Sequence, residues 1–270
     1  MSPGITRDVL AWAAAAWFSL TAPTWADDLR PLCPDRPGKN TSPCSLDAGH
    51  YQLELNGYDQ TFQRRGGTVN DTLLLLNPTL KYGLTDTLDI EASFAPIQSQ
   101  HIKTAASDIT TDGHGDVYLR AKWMFTGDGE AGFTAVAEPF VKLATATRGL
   151  GNGALEGGVM LPFGYDWGNG WQLSTTPEVD GLLDASGHGR HAQLIDAIEL
   201  NRDLPGGFTL GAEVWTSQNF DPAGAVSQYS ADFDLAWLTG ANTQLDGGVN
   251  IGLNRATPDL EIYFGISRRF

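Results

Sequence analysis

The sequence predicts an all-β fold, a transmembrane antiparallel β-barrel of about 12 strands that is preceded by a cleaved signal peptide. Three observations predict it: an apolar run near the start, regularly spaced alternating runs after it, and a last strand that alternates to the final residue. In that strand Leu260, Ile262, Phe264 and Ile266 share one face, and Phe270 ends the chain. Bacterial outer-membrane barrels end on such an aromatic residue, which the barrel assembly machinery reads.

The composition argues against nucleic acid as a partner. The chain has 270 residues with 32 Asp plus Glu and 17 Lys plus Arg, which gives a formal net charge of −15. Binding to phosphates requires clustered Lys and Arg, and no basic stripe is visible. The length suits one large β domain, and the 32 glycines suit tight turns and crowded barrel walls.

Residues 1–26 have the features of a secretory signal peptide. Arg7 supplies the positive charge, Val9 to Leu20 form the apolar run, and Thr24-Trp25-Ala26 provides a small-x-small cleavage site. The run is shorter than the roughly 20 apolar residues that a membrane-spanning helix needs. An amphipathic or buried N-terminal helix is the alternative interpretation.

Residues 27–46 are predicted to form a periplasmic N-terminal segment before the barrel, which spans residues 47–270. The segment is rich in proline and contains both cysteines, Cys33 and Cys44. In an oxidising periplasm these two are expected to form a disulfide. A metal or redox pair is the alternative, although no His or third Cys lies nearby.

The barrel strands are predicted from alternating runs of about ten to fourteen residues between turn signals. The runs are 47–61, 71–84, 87–98, 115–126, 132–145, 153–164, 170–181, 189–202, 207–219, 227–238, 242–254 and 259–270. Their number is even, as in bacterial single-chain barrels, and each is long enough to cross a bilayer while tilted. The strands of a soluble sandwich average nearer 5–6 residues.

The connections between these runs alternate between short turns and longer polar links. Short periplasmic turns and long external loops are typical of outer-membrane barrels, so the long links are predicted to face the exterior. The longest, around His101 to Gly115, is expected to fold over or into the barrel mouth.

Alternation assigns an apolar face to lipid and a polar face to the lumen. Aromatic residues collect near the short turns, as an interfacial girdle requires; they are Tyr82, Phe125, Phe163, Trp171, Phe208 and Trp237. Arg268 and Asp196 fall on the lipid face and depart from the pattern, which for Asp196 indicates a bulge or another register. A β-sandwich whose core is capped by aromatic residues is the alternative.

The lumen is predicted to be lined by charged side chains with an excess of acids. The predicted lumen acids are Glu54, Asp89, Glu91, Glu138, Glu156, Glu178, Glu199, Glu213, Asp232, Asp234, Asp246 and Glu261, and the predicted lumen bases are Lys81, Arg120, Lys122, Lys142 and Arg269. Most are expected to pair, and the surplus of acids favours cations or neutral polar solutes over anions. A solvated or plugged interior without transport is the alternative.

Several stretches together resemble the outer-membrane family named for a putative meta-pathway of phenol degradation. They are Leu76 to Ala95, Gly113-His114-Gly115-Asp116-Val117 with Lys122, Lys142 to Ala146 with Gly151 and Gly153, and the terminal Phe270. The resemblance covers roughly residues 45–270. It implies a channel for aromatic or other small compounds, and it implies no catalytic residues.

The sequence therefore predicts an outer-membrane channel for passive uptake of small solutes, with no catalytic residue, metal or cofactor. Its expected partners are outer-membrane lipid, the assembly machinery, which would read Phe264, Ile266 and Phe270, and a small solute. One alternative is an outer-membrane hydrolase, for which Ser186, His188 and His191 are the nearest candidates. Another is a soluble periplasmic β-sandwich that binds a ligand.

Overall fold

The computed structural model describes residues 29–129 and 131–270. The predicted signal peptide, residues 1–26, lies outside the described residues. In the described ranges no helix is long and apolar enough to cross a membrane.

The described chain forms one antiparallel sheet of seventeen strand segments. They are β1 (Tyr51–Phe62), β2 (Arg64–Arg65), β3 (Thr68–Thr85), β4 (Leu88–Phe94), β5 (Ile97–Lys103), β6 (Asp108–Gly113), β7 (Val117–Thr126), β8 (Gly132–Leu143), β9 (Glu156–Met160), β10 (Phe163–Asp166), β11 (Trp171–Thr175), β12 (Glu178–Leu183), β13 (Arg190–Leu204), β14 (Phe208–Asn219), β15 (Val226–Gly240), β16 (Thr243–Gly252) and β17 (Leu260–Arg269).

The sheet closes on itself because β1 pairs with the last strand, β17, from Gln52↔Arg269 to Phe62↔Leu260. Five barrel strands consist of two consecutive segments that pair with the same neighbour: β1–β2, β4–β5, β6–β7, β9–β10 and β11–β12. The result is a closed barrel of 12 strands, as the sequence predicted. Closure leaves no unpaired sheet edge, which is the condition for a β-protein to lie in lipid.

Prolines mark three of the breaks within barrel strands. Pro96 separates β4 from β5, Pro162 separates β9 from β10, and Pro177 separates β11 from β12. Proline has no N–H to donate to the sheet, so the ladder is interrupted where it occurs. Strands β13 to β17 contain no such break. The barrel thus has an interrupted part, β1 to β12, and a continuous part, β13 to β17.

The predicted long link at residues 99–114 is not a loop that covers the mouth, so that expectation was wrong. β5 and β6 form a hairpin around a turn at Thr104–Ser107, and β5 also pairs with β3 from Val69↔Lys103 to Leu75↔Ile97. The backbone ladder continues past the apolar band because strands outside lipid can carry polar side chains on both faces. The alternation of apolar and polar residues in the sequence therefore stops before the ends of β3, β5 and β6 in the structure.

The outer face is apolar, as predicted, and the inner face is polar. Leu210, Val214, Phe233 and Ile251 are 42–59% exposed, whereas the inward side chains of Glu213, Asp232 and Asn250 beside them are buried. Most residues of the predicted girdle lie near short turns with exposed rings or ring pairs, such as the stacked Phe208–Trp237 pair at 5.5 Å.

The two residues that departed from the pattern do lie on the outer face. Arg268 is exposed, and its guanidinium carbon lies 5.2 Å from the ring centroid of Phe270. The Asp196 carboxylate accepts a hydrogen bond of 2.8 Å from Thr175, beside the Pro177 break. The β13–β14 ladder has no register shift at Asp196, so the expected bulge is absent from that pairing.

Candidate functional site

Residues 33–46, here called the plug, lie inside the barrel and contact inward side chains from both sides of the lumen. We expected residues 27–46 to form a segment in the periplasm, whereas the structure places residues 33–46 inside the barrel. A disulfide between Cys33 and Cys44 closes its loop. The plug enters the lumen from the barrel end that carries the short turns. There Cys44 packs near Gly129, and the Ser45 hydroxyl donates to the backbone carbonyl of Asp86.

The plug turns at its tip and is tied across its base by its own polar groups. Gly38 has a φ of +86°, a conformation that glycine adopts without the steric cost of a Cβ. Its N–H donates to the Tyr263 hydroxyl at 3.0 Å. At the base, the N–H of Ser42 donates to Asp35 at 3.1 Å. The wall therefore holds the tip in place, while the disulfide and Asp35 hold the loop closed.

On one side of the lumen the plug carboxylate of Asp35 contacts two buried lysines, Lys81 and Lys122. Lys81 Nζ also lies 2.7 Å from Glu54 Oε1, and Lys122 Nζ lies 3.6 Å from Glu138 Oε2. Together with Glu91, these residues form a network here called the lysine cluster: Asp35, Glu54, Lys81, Glu91, Lys122 and Glu138. Buried charges require such pairing, because each loses its hydration.

The lysine cluster holds the plug acid in its ionised form. Burial acts to raise the pKa of Asp35, but the ammonium groups of Lys122 and Lys81 lower it more, and the net pKa lies well below its usual range. Asp35 is therefore expected to be charged at neutral pH.

On the opposite side the plug presents cations and backbone N–H groups to the acids of β13 to β16. Arg36 Nη2 lies 2.6 Å from Asp246 Oδ1, and Lys39 Nζ lies 2.8 Å from Asp232 Oδ2. The N–H groups of Lys39 and Asn40 donate to the Glu213 carboxylate, the latter at 2.7 Å. We name the carboxylates on this side the acidic strip: Glu199, Glu213, Asp232, Asp234 and Asp246.

The predicted lumen residues point into the barrel, and most are covered. Buried members are Glu54, Lys81, Asp89, Glu91, Lys122, Glu138, Lys142, Glu156, Glu199, Glu213, Asp232, Asp234, Asp246 and Arg269. The remaining three, Arg120, Glu178 and Glu261, are half-buried. They do not form one site: Lys142 pairs with Glu156 at 2.8 Å near the long loops, and Arg269 pairs with Asp47 at 2.8 Å at the opposite end.

Sequence reasoning missed the plug residues Asp35, Arg36 and Lys39 as lumen contacts. The signal was present, since three charged residues lie within the Cys33–Cys44 loop. No periodicity marks them, because the plug contains neither helix nor strand.

The plug leaves separate cavities in the lumen. One of about 330 Å³ lies beside the lysine cluster and is lined by Tyr118, Arg120, Phe140 and Met160 among others. The guanidinium of Arg120 lies 5.2 Å from the Tyr118 ring centroid, so this cavity combines aromatic surface with a half-buried cation. A second, of about 210 Å³, is lined by Lys39 and Trp215.

The candidate hydrolase residues form a loop structure and not a catalytic arrangement. His191 Nδ1 contacts Asp184 at 2.9 Å, and its side chain is 5% exposed. The hydroxyl of Ser186 donates to the backbone carbonyl of His188 at 2.9 Å. Within the described ranges these contacts support the geometry of the 184–189 loop, and they pair no serine with an imidazole.

The comparisons with known proteins agree with this fold. A sequence profile described as "Putative MetA-pathway of phenol degradation" matches residues 34–270. No curated protein sequence matches the chain.

Solved outer-membrane barrels resemble the structure at low identity. The COG4313 outer membrane channel from Pseudomonas putida F1 is 14% identical with a TM-score of 0.66, covering 87% of this chain and 99% of that one. The β domain of the Bordetella autotransporter BrkA is 15% identical with a TM-score of 0.53, covering 83% and 100%. The NanC porin is 10% identical with a TM-score of 0.51, covering 78% and 98%. At these identities the likeness shows the fold.

Proposed function

Because the chain belongs to the family described as "Putative MetA-pathway of phenol degradation", we propose that it is an outer-membrane channel for passive uptake of small solutes. The observation that carries this proposal is a closed barrel with an apolar outer face and a charged interior. Such a surface belongs in lipid, and a polar interior provides a route for solutes that lipid excludes.

The interior supports a preference for cations and neutral polar solutes. The acids of the strip and the lysine cluster outnumber the wall lysines beside them, and strands β14 to β16 contain no Lys or Arg. A surplus of fixed negative charge attracts cations and repels anions within about a Debye length.

Aromatic compounds belong among the proposed solutes. The cavity of about 330 Å³ has the size of a small-ligand pocket, and Tyr118 and Phe140 form an aromatic wall with ring centroids 6.3 Å apart. The half-buried Arg120 and Glu178 provide hydrogen-bonding partners for polar substituents.

Planar-bilayer recording tests the channel. We expect ion conductance with cation preference, small in the full-length protein because the plug occupies the lumen. Silent bilayers containing protein that shows heat-modifiable migration on a denaturing gel would contradict the proposal. Flux of phenolics, sugars and organic acids into proteoliposomes then ranks the solutes.

The bacterial outer membrane is the proposed location, with outer-membrane lipid and the barrel assembly machinery as partners. Phe264 and Phe270 are 56% and 49% exposed on the outer face of β17 and its end, where a recognition signal would be accessible. Deleting Phe270 should lower the outer-membrane yield of the folded form. Equal yields from the two forms would remove the role assigned to the terminal aromatic.

A further inference from the structure

The acidic strip concentrates buried like charge on adjacent strands. In the strand register Glu199 of β13 lies directly opposite Glu213 of β14, and Glu213 lies directly opposite Asp232 of β15. Like charges directly opposite each other destabilise a sheet. All five carboxylates are at most 7% exposed, so little water screens them.

The plug supplies the cations that contact the strip, and it supplies too few. One guanidinium, from Arg36, contacts Asp246, and one primary ammonium, from Lys39, contacts Asp232. Asp234 is 5% exposed, and its Oδ2 is buried without a hydrogen-bond partner. A Cβ at Gly38 of the plug would lie 3.8 Å from Asp234 Oδ2, and glycine has no side chain to offer there. A buried carboxylate without a cation partner is costly, and a cation or a proton that reaches it lowers that cost.

The lysine cluster differs, because its acids have wall lysines as partners. Lys81 contacts Glu54 and Glu91, and Lys122 contacts Glu91 and Glu138. Removing the plug would leave these pairs in place. It would leave strands β14 to β16 of the acidic strip without any Lys or Arg, while Arg190 and Arg202 of β13 donate to backbone carbonyls and not to the strip.

We propose that the acidic strip is a binding site for small organic cations that carry guanidinium or primary ammonium groups, and that Arg36 and Lys39 of the plug occupy it as built-in competitors. The inference rests on the proposed channel function, whose solute class it names. A cation that replaces these two side chains breaks both ion pairs between the plug and the strip, and the plug then keeps only its uncharged hydrogen bonds on that side.

The chemistry of the strip fits organic cations better than a metal ion. Across the described ranges, three carboxylates bring oxygen atoms within 4.8 Å of one another at Asp35, Glu91 and Glu138, which lie in the lysine cluster. The ammonium groups of Lys81 and Lys122 already contact those acids. The strip is extended, and the two groups that it holds are a guanidinium and an ammonium.

A solute has room to reach the strip. The cavity of about 210 Å³ borders Lys39, Trp215 and Ser230, and Ser230 donates to Asp232 at 3.0 Å. Lys39 Nζ lies 5.1 Å from the Trp215 ring centroid, so the indole also favours a cation at this position.

Binding of radiolabelled agmatine to the detergent-solubilised full-length protein tests the proposal. Agmatine carries one guanidinium and one primary ammonium, the two groups that the plug places on the strip. We expect saturable binding that Arg36→Gln/Lys39→Gln tightens by about tenfold or more, because a competitor that occupies the site lowers the apparent affinity. We expect Asp232→Asn/Asp246→Asn to abolish it.

The two double variants separate the site from the plug. Both remove the ion pairs that hold the plug tip, so both should increase conductance in bilayers. Only the carboxylate variant removes the binding groups. Asp180→Asn is the matched control, since Asp180 is a buried inward carboxylate on β12 outside the strip, and it should bind agmatine as the wild type does.

Agmatine binding that survives Asp232→Asn/Asp246→Asn, or that weakens in Arg36→Gln/Lys39→Gln, would overturn the inference. So would no binding in any variant that shows heat-modifiable migration. Conductance without agmatine binding leaves the channel standing and removes this site. Agmatine binding with silent bilayers keeps the site and removes the channel.

Discussion

The two sides of the lumen differ in which residues neutralise their buried charges. The interrupted part of the barrel, β1 to β12, places Lys81 and Lys122 among its own acids. The continuous part, β13 to β17, places Glu199, Glu213 and Asp232 in one row without a wall base on β14 to β16. The first side is neutralised by the wall, and the second depends on what enters the lumen.

The charged residues of the plug are complementary to the charges on the two sides of the lumen. Its single acid, Asp35, lies on the lysine side, and its two bases, Arg36 and Lys39, lie on the acidic side. Because the acid and the two bases face opposite sides of the lumen, one orientation of the plug pairs all three. Charge complementarity therefore fixes how the plug sits, as it does at protein interfaces.

The largest expected effect is the loss of a wall lysine. Lys122→Met leaves Glu138 and Asp35 buried with one cation fewer and should destabilise the barrel by about 3–5 kcal/mol. Urea unfolding in lipid vesicles measures it. Lys103→Met is the control, since its side chain is 54% exposed and exposed pairs contribute about 0–1 kcal/mol. Equal losses of unfolding free energy in the two variants would show that buried wall charges stabilise the barrel no more than exposed ones.

Next is a charge on the outer face of the continuous part. Ala212→Arg lies midway along the apolar row of β14 and should cost about 2–4 kcal/mol in the same unfolding assay. Gln218→Arg lies on the same face beside Ser227 and Tyr229, at the polar end of the row. There the cost should fall to about 0–1 kcal/mol. A larger loss of stability in Gln218→Arg than in Ala212→Arg would show that the lipid band does not lie at Ala212.

Loss of the disulfide should affect the plug and spare the wall. Cys33→Ser/Cys44→Ser removes closure of a loop with a sequence separation of 11, which corresponds to about 2–3 kcal/mol. Hydrogen exchange of residues 33–46 should accelerate while that of β14 stays unchanged. Acceleration in β14 as well would mean that the plug supports the barrel itself.

The smallest expected effect has the opposite sign. Asp234→Asn removes a buried carboxylate whose Oδ2 has no hydrogen-bond partner and should stabilise the barrel by about 1–3 kcal/mol. Asp246→Asn removes the partner of Arg36 and should gain less or lose stability. If both behave alike, pairing by the plug does not distinguish the two acids.

The sequence predicted the wall well because alternation is a local property. The assignment of an apolar outer face and a polar inner face is confirmed, since a residue's position in a strand decides which side it faces. The plug escaped prediction because Asp35, Arg36 and Lys39 lie in irregular backbone, where no period indicates what a side chain faces.

By itself, the sequence determined the closed barrel, its strand number and the excess of acids in its lumen. These follow from the order of polar and apolar residues along each strand. Only the tertiary structure decided that residues 33–46 fill the lumen, that the lysines gather on one side, and that the acidic strip takes its cations from the plug. The reason is that Coulomb pairing depends on distances between residues up to 222 positions apart, which the local pattern of a chain does not contain.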